Sequence, residues 1–106
     1  MITINESTSF NKWLLKVKLK NKEAFFTIQM YLDRVITGNL GNTKCLREGI
    51  HEIKIDFQKG YRVYFINDRK NVILLLGGGT KGTQSADISK AIKLRKAIIA
   101  ERKKNS

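Results

Sequence analysis

From Glu52 to Phe65 the apolar side chains fall on every second residue, with one glycine in the middle of the run. Ile53, Ile55 and Phe57 alternate with Glu52, Lys54 and Asp56; Tyr61, Val63 and Phe65 alternate with Arg62 and Tyr64. A period of two marks a strand with one face turned inward. Two such strands around Gln58-Lys59-Gly60 make a hairpin, which commits the chain to a sheet. A two-residue turn would set Ile55 against Arg62 and mix core with surface. A three-residue turn, with Gly60 in the left-handed position, pairs Phe57 with Tyr61, Ile55 with Val63 and Ile53 with Phe65. In that register Asp56 lies opposite Arg62, and Lys54 opposite Tyr64. Glu52, Lys54, Asp56, Arg62 and Tyr64 then share one surface of the sheet.

The rest of the chain supplies partners for this hairpin. Val72-Ile-Leu-Leu-Leu76 is apolar throughout, as expected of a central strand covered on both faces, and Gly77-Gly78-Gly79 is expected to end it. Upstream, Phe10, Trp13, Leu14 and Val17 follow one helical stripe, with Ser7, Thr8 or Ser9 placed to cap it. Phe25, Ile28, Leu32 and Val35 put a second helix over 22–36, ending before Gly38-Asn39-Leu40-Gly41-Asn42. Ile2 to Ile4 fit a short edge strand. A last helix runs from Ser85 to about Lys103 on Ile88, Ala91, Ile92, Leu94, Ile98 and Ile99. These elements predict one α+β domain spanning 1–106, an N-terminal helical hairpin packed on an antiparallel sheet with a C-terminal helix.

Charge narrows what such a domain can meet. Lys and Arg number 21 against nine Asp and Glu, a formal net charge of +12 spread along the whole chain. That balance favours a polyanionic partner. The lone Cys45 forms no internal disulfide, and with the lone His51 it makes no metal cluster. No apolar stretch approaches membrane-spanning length, and the N-terminal residues lack the pattern of a secretory leader, so a cytoplasmic protein is expected. The glycine run lacks the spacing of a nucleotide-binding P-loop.

Taken in order, several blocks resemble the RelE/ParE toxin superfamily, and most closely its HigB-like addiction-module killer branch. They are Trp13-Leu14, Gly38-Asn39-Leu40-Gly41-Asn42, Glu52-Ile53-Lys54-Ile55-Asp56-Phe57, Gly60-Tyr61-Arg62-Val63-Tyr64-Phe65, Leu74 through Gln84, and Asp87-Ile88 with Ala91. The resemblance covers most of the chain, from about Phe10 to Ala91. It implies the RelE-like fold and the toxin of a type II toxin–antitoxin pair, held inactive by a cognate antitoxin protein. Many such toxins cut messenger RNA on the ribosome without a metal. ParE-like members instead inhibit DNA gyrase without catalysis. A basic nucleic-acid-binding module without catalysis is a further alternative. The chain departs from the family at Gln58-Lys59, where Gly-Pro is common, and at Thr80, where Asp is frequent. It also has no tyrosine near Asp87-Ile88.

The resemblance assigns roles to particular residues. Arg62, the arginine of the GYR motif, would hold or stabilise the scissile phosphate through its bidentate fork. Lys81, after the glycines, would add a phosphate contact. Lys54 would assist proton transfer or electrostatics. From their own chemistry, and not from the resemblance, Tyr64 is a candidate for stacking on a base and His51 for proton exchange. Lys59, Thr83 and Gln84 would touch RNA, and Lys12 and Lys16 would present a basic helix face; Thr83 or Ser85 would also cap the last helix. No cofactor, metal or membrane partner is implied. Arg62→Ala is expected to abolish growth arrest while leaving the fold intact.

Overall fold

The computed structural model describes residues 1–105. The chain runs β1 (Thr3–Glu6), α1 (Thr8–Lys20), α2 (Lys22–Ile36), β2 (Thr43–Cys45), β3 (His51–Ile55), β4 (Tyr61–Arg69), β5 (Val72–Thr80), a single 3₁₀ turn (Lys81–Thr83) and α3 (Gln84–Lys104). The strands form one five-stranded sheet in the order β1-β5-β4-β3-β2. The expected N-terminal helical hairpin on an antiparallel sheet is therefore corrected. A strand comes first, and the sheet is mixed, because β1 pairs parallel with β5 from Thr3 opposite Val72 to Glu6 opposite Leu75. The physical reason is local. Ile2 and Ile4 pack on the core, and the β5 edge offers their backbone a ladder that continues into Ser7 N–H to Leu75 O at 3.0 Å. Ser7 then caps α1 through its hydroxyl, which accepts from Phe10 N–H at 3.0 Å. At the far edge, β2 pairs antiparallel with β3.

Alternation along the strands divides the core in two. Ile53, Ile55, Val63, Phe65, Ile73 and Leu75 face α1 and α2, where they meet Phe10, Leu14, Ile28, Leu32 and Val35. Tyr64, Ile66 and Leu76 face the other way, beneath Ala91 and Ile92 of α3. The even-numbered residues of β3 and β4 thus look toward α3.

The β3–β4 register is offset by two from expectation. Ile55 pairs with Tyr61, Lys54 with Arg62, Ile53 with Val63 and Glu52 with Tyr64. The connection is a five-residue loop, 56–60, in which Gln58 (φ 50°) and Gly60 (φ 77°) take left-handed conformations. Phe57 leaves the ladder to pack at the core margin, and its carbonyl accepts from Gly60 N–H at 3.0 Å. A slip of two keeps every side chain on its expected face and changes only the partner opposite. Asp56 therefore does not face Arg62.

Strand β5 also runs through the glycines instead of ending there. Gly77, Gly78 and Gly79 pair with Tyr64, Val63 and Arg62. Their role is to admit neighbours. A β-carbon on Gly78 would stand 2.5 Å from the Trp13 ring, and one on Gly79 would collide with Asp87 and Thr83 at the start of α3. Bare backbone lets α1 seat on one face of this strand and α3 on the other.

Candidate functional site

At the end of the sheet where β3 and β5 finish and β4 begins, an open cleft of about 490 Å³ is lined by Lys54, Asp56, Lys59, Gly60, Arg62 and Lys81, together with Phe57 and Gln58. Each cation arrives by a different route. Lys54 is the direct cross-strand partner of Arg62. Lys81 is brought in by the 3₁₀ turn, where its N–H donates to Gly60 O at 2.7 Å. Lys59 sits on the five-residue loop, which is tied to the α1–α2 junction by Asn21 Nδ2 donating to Gln58 Oε1 at 2.6 Å. Four cations meet one carboxylate there, and Asp56 is engaged by Lys54 at 3.8 Å.

Arg62 is the anchored member. Its side chain is only 6% exposed. Nη1 donates to Tyr61 O at 3.1 Å, while Nε is buried, makes no hydrogen bond and faces Glu52 Oε1 at 3.7 Å. Glu52, equally buried, accepts at its other oxygen from Gln84 Nε2 at 2.8 Å. Gln84 is the first residue of α3, so the helix start holds Glu52, and Glu52 orients the arginine. Arg62 also lines the basic cleft, and a guanidinium fork on such a wall suits an anion with two oxygens to offer.

Burial also alters the expectation that Arg62→Ala would leave the fold untouched. Truncation strands the Glu52 carboxylate in the interior, and removing one partner of a buried ion pair is costly.

The other expected site residues lie elsewhere. Tyr64 is fully buried beneath α3, and its hydroxyl finds no hydrogen-bond partner in bonding geometry although Gln84 stands beside it. Burial, reinforced by the Glu52 and Asp87 carboxylates, pushes its phenol well above the ordinary tyrosine range. It stays neutral and has no access to a base for stacking. Because an unsatisfied buried hydroxyl costs about 1–3 kcal/mol, Tyr64→Phe is expected to raise unfolding free energy by about 1 kcal/mol, read from urea titration. His51 lies on the opposite face of β3, stacked on Phe65 at 5.2 Å with its Nε2 3.3 Å from Asn67 Nδ2. Thr83 makes no capping bond to α3; its hydroxyl accepts from Thr80 N–H at 3.1 Å and donates to Asp87. Gln84 spends its amide on Glu52. Lys12 and Lys16 line a neighbouring depression and not this cleft.

Glu52 is the residue whose importance was hardest to see in advance. Its alternation in β3 placed it on the right face, but only the offset register and the first turn of α3 make it the support of Arg62. Among the described residues no group of three His, Cys, Asp or Glu stands close enough to hold a metal ion, and no helix is long and apolar enough to cross a membrane.

Fold and cleft together define a small mixed-sheet domain with a buried arginine and three lysines around one open cleft. No family model matches the sequence. An uncharacterized protein of Haemophilus influenzae is 41% identical over 90 residues, which make up 85% of this chain and 89% of that protein. The chain belongs to the same family as that protein.

Proposed function

We propose that this chain is the toxin of a type II toxin–antitoxin pair, a ribosome-dependent messenger-RNA endoribonuclease of RelE/ParE kind that acts in the cytoplasm and is silenced by a cognate antitoxin. The observation that carries the reading is the convergence of Arg62, Lys54, Lys59 and Lys81 on one cleft. The ordered sequence blocks that resemble the superfamily supply the second support.

The chemistry follows from the side chains. The 2′-hydroxyl attacks the adjacent phosphorus, the bond to the 5′-oxygen breaks, and the products carry a 2′,3′-cyclic phosphate and a 5′-hydroxyl. Negative charge gathers on the phosphorane oxygens, where Arg62 and Lys81 stabilise it. Lys54, opposite Arg62, serves the proton transfer or its electrostatics. The ribosome positions the message, so the protein needs few reacting groups. No metal of its own takes part.

Mapping messenger ends in a translating extract tests this directly. Cleavage is expected within translated codons, with 5′-hydroxyl ends, and Lys81→Ala is expected to slow it about tenfold or more. Intact messages together with DNA damage would instead indicate a ParE-like gyrase inhibitor. Salt-sensitive RNA binding without cleavage on translating ribosomes would indicate a non-catalytic module.

A further inference from the structure

Two further depressions follow in series from the Arg62 cleft. One, of about 360 Å³, is lined by Trp13, Lys16, Lys20 and Lys59 beside Tyr61 and Thr80. The other, of about 330 Å³, lies between α1 and α3 over Gly77 and Gly78, with Lys12, Trp13, Lys16 and Lys90 in its walls. Lys59 is common to the Arg62 cleft and the first depression, and Trp13 and Lys16 are common to the two depressions. The three hollows therefore form one course from Arg62 to Lys90.

The charges along this course form a row. Lys12, Lys16 and Lys20 recur every fourth residue of α1, about 6 Å apart along the helix axis. A row suits a chain of charges, whereas a single small anion needs donors that converge. Asp56 and Asp87 are the two carboxylates lining the course, and both are engaged, by Lys54 and by the Thr83 hydroxyl. Among the described residues Lys12, Lys16, Lys20, Lys59, Lys81 and Lys90 take part in no ion pair.

Trp13 decides the kind of partner. Its half-buried ring lies against the bare backbone of Gly78 at the junction of two hollows. An acidic peptide would use the lysines alone, leaving the indole only its packing on Gly78 and Phe10. A nucleic acid uses both, provided its bases are unstacked from a partner strand. We infer that the course binds single-stranded nucleic acid, with one phosphate at Arg62, the strand passing Lys59 and Lys16 toward Lys90, and a base resting against Trp13. The inference rests on the reading of the Arg62 cleft as a phosphate site and extends it to several nucleotides.

Trp13 is the single tryptophan of the chain, so its emission reports this contact without a label. Oligouridylates of three and ten nucleotides, end-labelled for anisotropy, provide the probes, and no ribosome is needed. The ten-mer is expected to quench Trp13 and to bind at least tenfold more tightly than the three-mer. A Lys16→Ala/Lys90→Ala protein that melts like the wild type should lower the log–log salt slope for the ten-mer by about 1.4, at about 0.7 per phosphate contact on a single strand. Ten-mer binding with unchanged Trp13 emission, or an unchanged salt slope in the double variant, would overturn the inference. So would a ten-residue polyglutamate that quenches Trp13 with equal affinity, which would mark the surface as a peptide groove. The outcome separates from that of the nuclease proposal. Quenching with intact messages keeps the course and removes the nuclease, while cleavage without quenching does the reverse.

Discussion

An Arg62→Ala protein is expected to lose messenger cleavage by a factor on the order of 10²–10³, the usual cost of removing a preorganised charge stabiliser. It is also expected to unfold about 3 kcal/mol more easily. The second effect follows from burial. Glu52 and Arg62 are each about 94% enclosed, and Gln84 satisfies one carboxylate oxygen only. Loss of growth arrest by the single variant would therefore not separate chemistry from folding. The pair Glu52→Gln/Arg62→Ala does separate them, because a neutral amide at position 52 no longer demands a cation. Most of the lost stability should return in urea titration, and cleavage should stay absent. Arg62→Lys supplies the complement, keeping the charge while giving up the fork. A stable double variant that still cuts messages would remove Arg62 from the reaction.

Gly78→Ala is expected to destabilise the fold by about 2 kcal/mol, although it adds one methyl group to a strand. The new carbon would meet three atoms of the Trp13 ring at 2.5–2.6 Å. That ring cannot simply swing aside, since it packs against Phe10 at 5.8 Å in the core under α1. Helix and strand must part, and Trp13 emission should shift to the red as water enters. Shortening the opposing side chain tests the cause. In Gly78→Ala/Trp13→Leu the two changes should be less than additive by 1 kcal/mol or more, as expected for groups in contact. Strict additivity would show that glycine is needed there for some other reason.

The elements that can be read from sequence are those whose periodicity is long and local. Phe25, Ile28, Leu32 and Val35 mark α2 with the bounds the structure shows, and the alternation from Glu52 to Phe65 assigns faces correctly. Three features depend on contacts that no local window contains. The pairing of β1 with β5 joins residues 69 apart, and four residues of strand pattern cannot name their partner. The hairpin register turned on Phe57, whose alternation fits the ladder but whose side chain packs at the core margin from the loop. The glycine run looks like a strand terminator because glycine is poor in strands, yet here it accommodates an indole on one side and an aspartate on the other. The candidate cleft was legible as far as which cations share a sheet face. That Glu52 and not Asp56 supports Arg62 required the register, and that Tyr64 and His51 stand apart required the helix above and the parity below.

The parallel seating of β1 sets an order on biosynthesis. Thr3 to Glu6 leave the ribosome well before the strand they dock beside, which is made some seventy residues later. Until then the opening strand must wait unpaired while α1 and α2 form behind it, and closure over so long a loop is slow. Lys81 follows within a few residues of that strand. A nascent chain thus gains its completed sheet and its full set of cleft cations at nearly the same moment, late in translation.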